Sequence, residues 1–537
     1  MTKHFFAILL FCCVPFLFIN SLYSQEPTYY GGEAAKKLDW TLFYLNAHYV
    51  DSTDVDRLAE IAVIRMIQEL DPFSRYQSKK QLDEQRKADE GYKNDGIGIR
   101  YYIIKDTATI TFIDETGPGV AAGLKKGDKI LSLNGINTIG KNFNIIAEMI
   151  IADRGTTLNL KIKRPGERQL LDIPVTSISL FAASLDAAYK IKDNIGYIRL
   201  NRFTMKTLGE VKAALKDLKS RGVEHLIFDL RGNRGGVVTG ATKLADEFLS
   251  ENKLIMSSVG KGLPKSEVLA TAGGLFEKGK IAILTNGVTA SASEIFTGAL
   301  QEWDRALVLG EMTYGKGLIQ QSYLLGDSSA VRLTIGRYYT PTGRILQRPF
   351  EFDTSTDWVF QNIAGAVHYK DFTKALVAHP ENQWKSMSGR SLLKGQGGII
   401  PDIYLPKKAV NKPQLKILNN IGIIYRYVCY HADTYRPFYL YNYKNGNEFR
   451  LDKSVDKGIR STFSEFLTAD LADKELAKSI IQQGISSDVM MQIKAWLAPQ
   501  IWETGAYFAI FNEADEVVLR AIEAIQDKTF EEVGINY

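Results

Sequence analysis

Residues 281–303 read IAILTNGVTASASEIFTGALQEW, and the hydrophobic period changes in the middle of the stretch. Residues 281–284 form a continuous apolar run of strand length, and 293–303 repeat their apolar positions at helical spacing. The same alternation precedes it, with strands expected at 195–200 and 226–230 and helices at 208–219 and 240–249. Strand and helix in turn argue an α/β core with a largely parallel sheet. Such sheets hold their ligands beyond the carboxyl ends of the strands, here at 231–236, 286–291 and 310–317.

Those three loops carry the chemistry. Ser291 lies in Thr289-Ala290-Ser291-Ala292-Ser293-Glu294, and Lys316 lies between glycines in Tyr314-Gly315-Lys316-Gly317. A serine hydroxyl attacks a carbonyl only when a base takes its proton, and a lysine is that base only when its amine is neutral. Flanking glycines allow close backbone approach, and the apolar run 306–309 is placed to desolvate the amine. Ser-x-x-Glu at 291–294 is also a capping box, which puts Ser291 beside free backbone N–H groups at a helix start. The amide of Ala292 is one candidate oxyanion donor, and the glycines of 229–236 free backbone N–H groups for a second. Ser293 would fall inside the first helical turn, where the backbone can occupy its hydroxyl, so Ser291 is the preferred nucleophile. Gln320 is four residues after Lys316 and can orient a neutral amine. Glu302 reads as a solvated carboxylate on the Ser291 helix, able at most to support the site from behind.

Ahead of the core, 33–90 has helical periods, with Leu38, Leu42 and Leu45 on one stripe and Ile61, Ile64 and Ile67 on another. Asp71-Pro72-Phe73-Ser74 breaks this pattern. From 91 the chain turns to short β-branched runs, with strands expected within 109–113, 129–133 and 158–162 and one helix at 143–151. Gly119-Val120-Ala121-Ala122-Gly123-Leu124-Lys125-Lys126-Gly127-Asp128, followed by Ile130-Leu131-Ser132-Leu133-Asn134-Gly135, resembles PDZ domains over 93–176. Gly96, Ile97, Gly98 and Ile99 would then form the loop that captures a chain terminus on its N–H groups. A polar stretch at 350–395 looks like an insertion, and 406–537 returns to helical periods.

Taken together, 289–295, 310–321, 229–236, the Asp71-Pro72-Phe73-Ser74 stretch and the PDZ-like module resemble the C-terminal processing peptidases, or tail-specific proteases, over residues 60–405. Residue pattern and resemblance together divide a multidomain α+β chain into a signal peptide (1–24), a helical N-terminal domain (25–92), a PDZ module (93–178), an α/β peptidase core (179–405) and a helical C-terminal domain (406–537), the last lying beyond the family pattern. The resemblance implies that the core is crotonase/ClpP-like. It implies that Ser291 attacks the scissile carbonyl, Lys316 acts as base and then acid, Gln320 positions the lysine, and Ala292 with Gly235 or Gly236 holds the oxyanion. Some relatives carry Asp at the place of Glu302. Substrates would be protein or peptide C-termini, with an adaptor protein and a homo-oligomer compatible with the chain, and no cofactor is implied.

Bulk composition fits this reading. A chain of 537 residues suggests three or four domains, and its 66 basic and 61 acidic residues are spread without a basic tract, so nucleic-acid binding has no electrostatic footprint. The apolar run 5–19 is short for a membrane span and reads as a signal-peptide core with cleavage after Ser24, implying export to the periplasm and no integral membrane segment afterwards. Cleavage would leave Cys429 alone, without an internal disulfide. The six histidines are scattered, so no metal site is expected, and His225 starts its strand at the end opposite the glycine loop. A P-loop matches 310–316 but fails at Gly317 and at the strand pattern that follows. The remaining rival is a non-catalytic PDZ scaffold on a protease-like core.

Overall fold

The computed structural model describes residues 32–349, 383–393, 397–406 and 412–535. The apolar leader and its cleavage point lie outside these residues, as does most of the expected insertion. The described residues fall into two compact units, one ending at Ile67 and the other beginning at Gln68. The first holds α1 (Glu33–His48) and most of α2 (Val55–Gln68).

The second unit begins with β1 (Arg75–Gln77) and α3 (Lys79–Asp89), whose first turn is closed by a Ser78–Gln81 capping box. The sequence assigns this segment to a helical domain, but β1 pairs antiparallel with a core strand far along the chain. Its three residues are too few to show a strand period.

A ribbon of β2 (Tyr92–Gly96) and β9 (Ile178–Phe181) brackets the β-rich module. Inside it are β3 (Ile99–Ile104), β4 (Thr107–Ile113), α4 (Pro118–Ala121), β5 (Lys129–Leu133), β6 (Ile136–Asn137), α5 (Phe143–Ile150), β7 (Thr157–Lys163) and β8 (Leu171–Thr176). Its sheet runs β3-β4-β5-β7-β8. In β7, Leu158, Leu160 and Ile162 are buried while their neighbours are exposed, the period-two signature of a strand with one covered face.

The core contains β10 (Leu185–Lys192), β11 (Ile195–Leu200), α6 (Thr207–Ser220), β12 (His225–Asp229), α7 (Val238–Asp246), β13 (Leu254–Gly260), β14 (Leu263–Leu269), β15 (Ile281–Thr285), α8 (Ala292–Glu302), β16 (Leu307–Gly310), β17 (Leu318–Leu324), β18 (Ala330–Tyr339) and β21 (Ile403–Tyr404). The short hairpin β19 (Gln383–Lys385) and β20 (Ser391–Leu393) precedes β21. One sheet is ordered β10-β11-β12-β15-β16-β21 and is parallel from β11 onward. Alternate residues of these apolar strands face opposite layers, as a doubly covered sheet requires. Phe228, Ile283 and Val308 pack with residues of α6, α7 and α8. Ile227, Leu284 and Leu309 pack against the helix Glu516–Gln526, through Val518, Ala521, Ile522 and Ile525. That helix, expected in a separate C-terminal domain, therefore covers the core sheet. A second sheet is ordered β1-β18-β13-β14, with β17 also paired to β18.

The helices between Pro413 and Phe511 build a core of their own. The β-rich module docks on it. Lys126 donates to the carbonyls of Pro499 (2.7 Å) and Trp502 at the carboxyl end of the helix Ser487–Ile501. Lys129 pairs with Asp433 at 2.8 Å, and Arg436 presses so close to Gly127 that a β-carbon there would lie 2.5 Å from its Nε. Burial lowers the Lys126 amine to about 8, so its hydrogen bonds at neutral pH are charge-assisted and sit at the negative end of a helix. In Lys126→Met, amide exchange at 124–130 and 499–502 should rise roughly tenfold, since a lost hydrogen bond to a charged group is worth about 1.5–3 kcal/mol. Unchanged exchange would show that the contact does not hold the module.

Candidate active site

Ser291 stands immediately before α8 with φ 58° and ψ −118°, a conformation that costs a non-glycine residue about 1–3 kcal/mol. Its surroundings fix it there. The Ala290 N–H donates to the Asn233 carbonyl at 3.0 Å, and the Tyr314 N–H donates to the Thr289 carbonyl at 2.8 Å. The Ser291 N–H donates to Glu294 Oε2 at 2.7 Å. Every residue of α8 is buried, so the serine rides on a helix with no freedom to shift. The hydroxyl of Ser293, fully buried, donates to the Asn233 carbonyl at 3.2 Å.

The loop after β12 closes over this turn. At Gly235 (φ 89°) a β-carbon would lie 2.6 Å from the Ala290 carbonyl and 2.9 Å from Ser291 Cβ, so only glycine allows the approach. The Gly235 N–H is already committed to Asn233 Oδ1 at 2.9 Å. The Gly236 and Ala292 N–H groups have no acceptor among the described residues. Below the loop, fully buried Asp229 accepts from Tyr197 (2.7 Å), Arg199 (2.8 Å) and Arg231 (2.7 Å). Arg231 also reaches Asp515, the N-cap of the Glu516–Gln526 helix, at 2.8 Å. The C-terminal part of the chain thus braces the glycine loop.

Lys316 turns inward from the third loop. Its Nζ donates to Gln320 Oε1 at 3.1 Å and lies 4.9 Å from the centre of the Phe73 ring. Gln320 is held in turn, its Nε2 donating to the Phe73 carbonyl at 2.7 Å, which points the oxygen at the amine. Burial lowers the lysine to about 8, helped by the positive charges of Arg332 and Arg75 and opposed by Asp71 and Glu294. Among the described residues no hydrogen bond joins the Ser291 hydroxyl to the Lys316 amine.

Glu294 joins the two loops. Its Oε2 accepts from the Ser291 and Lys316 N–H groups (2.7 and 2.9 Å), and its Oε1 accepts from the Thr313 hydroxyl and the Gly315 N–H (2.5 and 2.7 Å). The sequence shows this residue only as half of a capping box. Four donors converging on one buried carboxylate are the extra information, and burial raises its pKa above the ordinary carboxylate value in spite of them. Phe73 is the other residue that sequence reasoning missed, although it lies in the Asp71-Pro72-Phe73-Ser74 stretch. Asp71 shapes that turn by accepting from the Phe73 and Ser74 N–H groups, each at 2.7 Å.

Two expectations change. Glu302 is not solvated: it is fully buried, pairs with Arg344 at 2.8 Å and accepts from the Thr342 N–H and hydroxyl. It stands at the end of α8 opposite Ser291, about 16 Å away along the axis, so it holds the 340–344 turn rather than the serine. Ile97 packs into the interior of the β-rich module, leaving only its backbone for a ligand. Gly96, Gly98 and Ile99 line a cleft of about 90 Å³ together with Arg100, Ile151 and Leu180. His225 accepts the Lys280 N–H on Nδ1 at the far end of β12. Among the described residues no group of three or more His, Cys, Asp or Glu side chains is placed to hold a metal ion, and no helix is long and apolar enough to cross a membrane.

Comparison with known proteins matches two stretches of the chain. Residues 194–355 match the peptidase family S41 model and 96–175 match a PDZ domain model. A carboxy-terminal-processing protease of Bartonella bacilliformis is 32% identical over 311 residues, covering 56% of this chain and 70% of that protein. A probable CtpA-like serine protease of Staphylococcus epidermidis is 30% identical over 316 residues, 58% of this chain but 63% of its relative, so the match spans under two thirds of that protein. Among solved structures, the photosystem II D1 C-terminal processing protease is 21% identical, with a TM-score of 0.35 over 71% of this chain and 87% of that one.

Proposed function

Because the chain belongs to the carboxy-terminal-processing protease family, we propose that it is an exported Ser–Lys endopeptidase that cuts proteins near their C-termini, with the PDZ module receiving the tail. The observation that carries this reading is the Lys316 amine, buried on an aromatic ring, oriented by an amide oxygen and held to about 8. A lysine so placed spends an appreciable fraction of its time neutral near pH 8 and can serve as a base.

The steps follow from the groups in place. Neutral Lys316 takes the Ser291 proton as the hydroxyl oxygen bonds to the scissile carbonyl carbon. The developing oxyanion lies toward the Ala292 and Gly236 N–H groups, neither of which has an acceptor among the described residues, and the already bonded Gly235 amide is set aside. Protonated Lys316 then gives its proton to the leaving nitrogen, freeing the C-terminal fragment and leaving an acyl-serine. Water, deprotonated by the same amine, releases the acid. Gln320 accepts from the lysine in both protonation states, so it orients the amine without adding charge. The apolar segment 5–19 supports export, and the cleft at Gly96, Gly98 and Ile99 supports capture of a chain end on backbone N–H groups.

The deciding experiment incubates the full chain with a protein bearing an apolar C-terminal tail and follows both binding and the mass of the products. Release of a C-terminal fragment is expected. Stable binding of the tail with no cleavage from pH 7 to 10 would establish the scaffold reading instead.

A further inference from the structure

Arg75 and Arg332 take no part in these steps, yet they are direct Cα partners across β1 and β18. Like charges opposite one another on a sheet destabilise it. Their side chains share a face with Gln320. Ser322 pairs with Arg332, Gln320 pairs with Thr334 two residues further on, and residues directly opposite or two apart point the same way. A hydrogen bond of 2.8 Å from the Ser322 hydroxyl to Gln77 Oε1, crossing β18, marks that face from both sides. The Lys316 amine is tied to it through Gln320.

Among the described residues neither arginine forms an ion pair: Arg75, exposed, donates to the neutral Gln85 Oε1 at 3.2 Å, and Arg332, half-buried, makes no side-chain hydrogen bond. Asp89 is near enough to sense the charge of Arg332 but forms no ion pair with it. A partly desolvated pair of like charges is unfavourable until an anion is placed against it, and a guanidinium fits a carboxylate with two parallel hydrogen bonds.

The peptide chemistry supplies such an anion on this side of the site. Lys316 returns its proton to the leaving nitrogen, so the C-terminal fragment departs across the face that carries Gln320, and that fragment ends in a carboxylate. We propose that Arg332 and Arg75 bind the free α-carboxylate of the leaving fragment after the PDZ cleft has let the chain end go, an inference that rests on the peptidase reading of Ser291 and Lys316. Adjacent strands are about 4.8 Å apart, so β17 to β1 spans about 10 Å, or about three residues of extended chain. The pair thereby favours tails of about that length beyond the scissile bond.

The test uses the full chain and peptides with two, three, four or six residues after the scissile bond, each as the free acid and as the C-terminal amide. At about three residues the acid should exceed the amide in kcat/KM by roughly ten- to a hundredfold, the range for a charge-assisted hydrogen bond. In Arg332→Gln the acid should lose far more than the amide, bringing the ratio near one, and Arg332→Lys should restore part of it. Equal kcat/KM for acid and amide in the wild type, with cleavage intact, overturns the receptor alone. An Arg332→Gln that slows both substrates by the same factor also overturns it, because the pair then acts only on the lysine. Failure of the wild type to cleave any peptide at any pH overturns the peptidase reading itself, and the receptor with it.

Discussion

Cleavage is expected to vanish in Ser291→Ala and to fall by about a thousandfold or more in Lys316→Met, because a positioned general base contributes about 10²–10⁴ and here also returns the proton to the leaving group. Methionine keeps the apolar contact with Phe73 and removes only the amine. Lys316→Arg should be as inactive, since its guanidinium stays charged at any working pH. On the proposed mechanism the neutral amine is the active form and burial holds it protonated only below about 8, so kcat/KM should rise through pH 8 and level off above it. At pH 7 about a tenth of the molecules would carry the competent base. Stability should also rise with pH, but over a higher range. The unfolded chain keeps this lysine charged up to about 10.5, whereas the fold releases the proton near 8, so the penalty is full below pH 8 and fades as the pH climbs to 10.5. Lys316→Met should therefore be more stable than wild type at pH 7, by up to about 3 kcal/mol, with the difference closing above pH 10. A flat rate profile between pH 7 and 9, or a variant that is less stable at pH 7, would remove the neutral-lysine mechanism.

The parts of this site that the sequence showed are those written in local pattern. The change of period inside 281–303 placed a strand, a turn and a helix, and the turn put Ser291 at the helix start. Glycines around Lys316 marked a tight approach without saying to what. What stayed hidden was set by long-range pairing. Phe73 meets Gln320 across 247 positions, and no periodicity in a broken helical stretch announces a partner so far away. The apolar stripe of 517–525 was visible, but whether it covered a neighbouring helix or the core sheet depended on the fold as a whole. Glu302 was misread because a carboxylate late in a helix is usually solvated, whereas α8 is enclosed on all sides and forces the charge to find Arg344.

Glu294→Gln carries the second large effect. The carboxylate accepts four hydrogen bonds, two on each oxygen, from both the serine turn and the lysine loop. An amide can accept at only one of those atoms and places its own N–H groups against donors at the other, leaving at least one buried N–H or hydroxyl unpaired at about 1–3 kcal/mol. Because the two loops meet at this one group, a displacement of about 1 Å between Ser291 and Lys316 is the expected consequence, and misplacement of that size costs about a hundredfold in rate. The loss should appear in kcat, with tail binding by the PDZ module unchanged. A further reading separates this role from plain loss of stability. The negative charge of Glu294 favours the protonated lysine, so removing it should lower the pKa of Lys316 and move the rising limb of the pH profile to lower pH. Neutralising Arg332 moves that limb the opposite way. If Glu294→Gln lowers kcat and leaves the limb where it was, the carboxylate acts on the serine turn alone, and the idea that one group aligns both halves of the site fails.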